Sequence, residues 1–105
     1  ERAYLFVLEA IEFLQNRLDV RRHVSGTELA WAVRDLALER FGVMARTVLD
    51  CWGVRETADL GRIVYAMIAV ELLSAEPGDR EEDFHAVYDF ERALDDAYVM
   101  SWRDE

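Results

Sequence analysis

The sequence predicts a mainly α fold, a compact bundle of about five helices packed around a buried central one. Three observations carry this. The stretch Thr57–Leu73, TADLGRIVYAMIAVELL, has no charged residue from Ile63 to Val70. Within it Leu60, Val64, Met67, Ile68 and Leu72 recur at helical spacing, and Ala66, Ala69 and Val70 leave little polar face, as in a helix covered by others. Further stretches on both sides repeat the same period, separated by Gly42, Gly53 and Pro77-Gly78. Finally, 52% of the 105 residues are hydrophobic, enough for one core, so residues 1–105 read as a single helical domain. Arg62 and Glu71 bound the apolar run of 57–73, which is too short for the roughly 20 residues of a bilayer span.

The first helix is expected at Arg2–Leu18. Phe6, Ala10 and Phe13 form one row, Tyr4, Leu8, Ile11 and Leu18 the next, and Glu9, Glu12 and Asn16 a polar stripe. A short basic loop, Asp19–Val24, follows. Ser25-Gly26-Thr27-Glu28 is a capping box, in which each side chain satisfies a free amide at the helix start. The second helix should run to Phe41 and stop at Gly42, with Leu29, Val33, Leu36 and Ala37 inward. Met44–Trp52 makes a short third helix with Ala45, Val48, Leu49 and Trp52 inside, Arg46 and Asp50 outside, and Gly53 as its end. Thr57 is the expected N-cap of the central helix, and Asp59 suits the dipole of its first turn.

Beyond Leu73 the pattern changes. Pro77-Gly78 signals a turn, and Asp79–Asp83 is a charged loop. Phe84, Ala86, Tyr88 and Phe90 alternate with His85, Val87 and Asp89, the spacing of a strand. Such a strand would pair with 73–76 in a small β-hairpin, although Phe84, Val87 and Tyr88 equally fit one helical turn. The last helix starts near Asp89 or Phe90 and directs Phe90, Leu94, Ala97, Tyr98 and Trp102 inward.

Charge narrows the function. The net charge is −10, divided as −2 over residues 1–75 and −8 over residues 76–105. An acidic last third opposes general binding to nucleic acid or anionic membrane. All twelve basic residues are arginine, which excludes a Schiff-base or P-loop lysine. A lone cysteine, Cys51, and the lack of a signal-peptide pattern lead to the expectation of a cytoplasmic protein.

Each candidate motif has an ordinary structural explanation beside its functional one. The order of Met44–Trp52, Gly53-Val54, the central helix and a hairpin is that of a winged helix, but Arg55 and Arg62 stand among Glu56, Asp59 and Glu71, a poor reading face for DNA. Arg21, Arg22 and His23, with Ser25, precede free helix amides and could hold a small anion; the capping box competes for those amides. Glu82-x-x-His85 is half of a di-iron carboxylate motif and lacks the other half. His23, His85 and Cys51 lack metal-ligand spacing, and Cys51 is expected to be a buried inert thiol. Neither a metal nor a cofactor is expected. Trp31 and Leu38 lie together beside the acidic stripe of the second helix, one helical step from Arg34. They need cover from the first or last helix, or they form a homodimer or partner surface.

Across Arg22-His23-Val24-Ser25-Gly26-Thr27-Glu28-Leu29, Phe41-Gly42, Val48-Leu49, Trp52-Gly53, Asp59-Leu60-Gly61-Arg62-Ile63-Val64-Tyr65, Asp83-Phe84 and Tyr88-Asp89-Phe90, the chain resembles a small uncharacterised bacterial family known mainly from Planctomycetes and Verrucomicrobia. The order of these short motifs, spread over almost the whole chain, carries the resemblance. It implies a bacterial protein and supplies no activity, ligand or catalytic residue. The expected function is therefore a non-enzymatic protein-interaction module whose acidic last third meets a basic partner. The alternatives are a winged-helix-like DNA-binding regulator and a small-anion binder at Arg21, Arg22 and His23.

Overall fold

In the computed structural model, residues 2–96 are described, apart from Asp19 and Arg21. Among the described residues four α-helices stand in order: α1 (Arg2–Asn16), α2 (Gly26–Phe41), α3 (Ala45–Cys51) and α4 (Thr57–Ala69). Phe6 meets Phe41 at 5.7 Å between ring centroids, while Gln15 binds the backbone of Arg22 just ahead of α2. The first two helices therefore run antiparallel. Both halves of the Gln15 amide are used: it donates to the Arg22 carbonyl at 2.5 Å and accepts from the Arg22 N–H at 3.2 Å, which lets a buried polar side chain anchor the loop.

The capping box forms as expected. Ser25 is extended, its hydroxyl accepts from the Glu28 N–H at 3.1 Å, and the Glu28 carboxylate accepts from the Ser25 N–H at 2.9 Å. Gly42, at φ 51°, ends α2 and opens a 3₁₀ turn, Gly42–Met44, that leads into α3. Phe6, Phe41 and Trp52 pack together at this end of the bundle.

The start and the end of α4 both differ from expectation. Glu56, not Thr57, precedes the first turn, and the Asp59 carboxylate accepts from the N–H groups of Arg55 and Glu56 at 2.8 and 3.2 Å. Thr57 is buried one position further in, where its Oγ1 accepts from the Val87 N–H at 3.1 Å. The helix stops at Ala69 rather than Leu73. Glu71 is left-handed at φ 64°, its N–H donates to the Ile68 carbonyl, and the Leu72 N–H reaches back to the Met67 carbonyl at 2.9 Å. Those two bonds form a Schellman stop.

The centre of the bundle is α2 rather than α4. Leu29, Ala30, Ala32, Val33, Leu36 and Ala37 are all buried, and α2 touches α1, α3, α4 and the 3₁₀ turn Glu81–Phe84. Its alanines let neighbours approach from several sides. In α4 the buried stripe is narrower, Leu60, Gly61, Val64 and Met67, and Ala66, Ala69 and Val70 face solvent. An uncharged run of small residues is thus not by itself a buried helix.

The hairpin does not form: no strand occurs among the described residues. Glu81–Phe84 coils into a 3₁₀ turn, the Val87 amide goes to Thr57 instead of a partner strand, and Ala86 at φ 51° breaks the alternation. The helix-turn-helix order is therefore without its wing there. The last helix starts near the expected place: Phe90 is helical and Glu91–Asp96 continues as a π-helix, with Phe90 and Leu94 buried as expected. Ala97, Tyr98 and Trp102 lie outside the described residues.

Candidate interaction surface

The loop before α2 is held by carboxylates. The Arg22 guanidinium meets both Glu28 carboxylate oxygens, at 3.2 and 2.7 Å. Hydrogen bonding from Arg22, then from the Ser25 N–H, holds the Glu28 carboxyl down at about 2. His23 places Nε2 2.7 Å from Asp79 Oδ2 and Nδ1 3.8 Å from Glu76 Oε1. Ser25 serves as the cap, and Arg21 lies outside the described residues. The structure thus brings Arg22, His23 and Ser25 together, but Arg22 is engaged by Glu28, His23 by Asp79, and the Ser25 hydroxyl by the Glu28 amide. The effect is a clasp that fastens the acidic segment 76–79 to the start of α2.

Behind that clasp lies a partly open cavity of about 140 Å³, between α1, the start of α2, α4 and the segment 73–84. Its apolar lining comes from Ile11, Leu29, Val64, Ile68, Leu73 and Phe84, and Arg22 and Arg80 line it as well. Around it stand His23, Tyr65, Asp79 and Asp83. Burial, then the fields of Asp79, Asp83, Glu81 and Glu82, push the Tyr65 phenol up. Four carboxylates therefore act together on one spot of the surface. Tyr65, Glu76 and Asp79 were not singled out as site residues from the sequence. The only signal was the bulk acidity of the last third, which does not say which α4 residue the loop will cover.

The second candidate, Trp31 with Arg34 and Leu38, is partly covered. Tyr88 tilts against Trp31 at 4.7 Å between centroids, and the Arg34 guanidinium lies 4.9 Å from the Trp31 centroid. Arg34 also binds Asp35 at 2.7 Å, and Arg17 reaches the same carboxylate at 3.0 Å. Leu38 packs half-buried against the core. Trp31 remains 38% exposed. Among the described residues, the cover comes from the segment before Phe90, through Tyr88. Tyr88 is fixed there by its hydroxyl, which donates to the Ala30 carbonyl at 2.7 Å, and burial pushes its phenol up.

Cys51 is exposed, not buried as expected, because it falls on the outer side of α3 near its end. Glu82 and His85 are both exposed, at the end of the 3₁₀ turn. Among the described residues no cluster of three or more His, Cys, Asp or Glu could hold a metal ion, and no helix is long and apolar enough to cross a membrane. Comparisons with protein-family models, with curated proteins and with solved structures each found no match.

Proposed function

We propose that the chain is a non-enzymatic protein-interaction module that meets a basic partner through its acidic last third, with residues 76–83 as the contact face. One observation supports this most: Asp79, Glu81, Glu82 and Asp83 add to burial in acting on Tyr65, beside a cavity lined in part by apolar side chains. Apolar surface beside a cluster of carboxylates suits a partner that carries both apolar and basic side chains. The two other readings draw less support. A DNA-binding role would want the hairpin wing, which does not form among the described residues. An anion site at the loop would have to displace Glu28 from Arg22 and Asp79 from His23. A cytoplasmic setting belongs to the same proposal and rests on the lone cysteine.

Isothermal titration with an arginine-rich peptide tests the reading. Binding should weaken between about 50 mM and about 300 mM salt, because exposed charges are screened over that range. It should weaken again in a Glu81→Arg/Glu82→Arg variant. Salt-insensitive binding, or unchanged affinity in the variant, contradicts the proposal.

A further inference from the structure

Deepening the proposed function, and resting on it, we propose that the cavity beside the acidic face receives one large apolar side chain of a basic peptide segment, with the peptide's arginines or lysines lying across the carboxylates. The size argues for a single side chain. At about 140 Å³ the cavity falls short of the roughly 300 Å³ at which drug-sized ligands begin to fit. An apolar cavity of roughly 150 Å³ holds one benzene, so a phenyl ring or a branched alkyl group matches the space.

The chemistry of the walls decides which end of the peptide enters. Ile11, Leu29, Val64, Ile68 and Leu73 offer no counter-charge to a guanidinium or ammonium placed among them. Of the two carboxylates on the lining, Asp79 meets His23 at 2.7 Å and Asp83 accepts from the Arg80 N–H at 3.1 Å, and the lining also carries Arg22 and Arg80. A cation driven inside would lose its water beside two arginines and two carboxylates that are already engaged, which is costly. An apolar group loses nothing there, and the cations stay outside beside Asp79, Glu81, Glu82 and Asp83, where the field favours them. A central apolar anchor in a pocket, ringed by weaker polar contacts, is also how binding energy is usually distributed in interfaces.

The experiment compares two arginine-rich peptides that differ only at one central position, leucine in the first and alanine in the second. Affinity is measured by titration calorimetry, and the methyl groups of Ile68 and Leu73 are followed by NMR. The leucine peptide should bind about tenfold or more tighter, as expected for burying that side chain. It alone should shift the two methyl signals. Ser74→Trp, an exposed position on the lining, should bring the two affinities together while salt-dependent binding persists. Equal affinities for the wild type with unmoved methyls overturn this inference and leave the acidic face standing. Failure of both peptides to bind overturns both.

Discussion

Phe84 joins the acidic segment to the helices, and two glycines make room for it. A Cβ at Gly26 would stand 2.8 Å from Phe84 Cε2, and one at Gly61 would stand 3.0 Å from Phe84 Cβ and 3.2 Å from the Glu81 carbonyl oxygen. The second clash is the harder to relieve, since neither neighbour is the free end of a flexible chain. Gly61→Ala gains about 1 kcal/mol of helix propensity but forces the 3₁₀ turn outward, at about 1–3 kcal/mol. We expect a net loss of about 1 kcal/mol, read as a lower urea midpoint; a raised midpoint would show that Phe84 can yield. The sequence places Gly61 within an apolar helix and gives no sign of this role, because the residue that needs the space lies beyond a turn. Glu28 was legible, and its chemistry sets a pH dependence. Its carboxyl is held at about 2 against an ordinary 4.5, so its contribution is complete above about 4.5 and is lost as pH falls towards 2. Both side chains of the Arg22–Glu28 pair are more than a third exposed, so solvent screening keeps the effect small. Between pH 4.5 and 2 the wild type should lose more melting temperature than Glu28→Gln; equal losses would contradict the pairing.

At the scale of elements, two helices end by the same device. In α3 the Val54 N–H bonds the Leu49 carbonyl and Gly53 is left-handed at φ 83°; in α4 Leu72 bonds Met67 and Glu71 takes the left-handed place at φ 64°. The first stop was legible because glycine marks it. The second was not, because glutamate favours no such conformation, and the apolar pattern continues through Leu72 and Leu73. This is why α4 was expected to be longer. A left-handed residue with a Cβ costs about 1 kcal/mol or more. Glu71→Gly should therefore stabilise the protein by up to about 1 kcal/mol, reduced by the extra freedom glycine has in the unfolded chain. A fall in melting temperature would mean that Glu71 makes contacts that outweigh the strain. The expected hairpin failed for a related reason. Alternation over 84–90 was real, but Thr57 and the glycine-lined slot for Phe84 supply better partners than a strand would, and both come from α2 and α4.

For the molecule as a whole, the helical class, the capped start of α2, the glycine stops of α2 and α3 and the asymmetry of charge were legible, since each depends on neighbours in sequence. The choice of α2 as centre, the Tyr88 cover on Trp31 and the cavity were not, since each needs segments far apart to meet. The clasp shows the difference most plainly. Arg22 and His23, with Ser25, stand out in the sequence as a candidate anion site near a helix start, and their placement there holds. What the local pattern could not show is that Asp79 and Glu76 arrive to take His23, turning a candidate anion site into a fastening for the acidic face. This face, residues 76–83 around Tyr65, is where we propose that a basic partner docks. The most direct test is an amide NMR titration of the protein with an arginine-rich peptide at low salt. The account predicts shifts centred on Tyr65 and residues 74–84 that fade as salt is added. A map centred on α1 or α3, or shifts indifferent to salt, would contradict it.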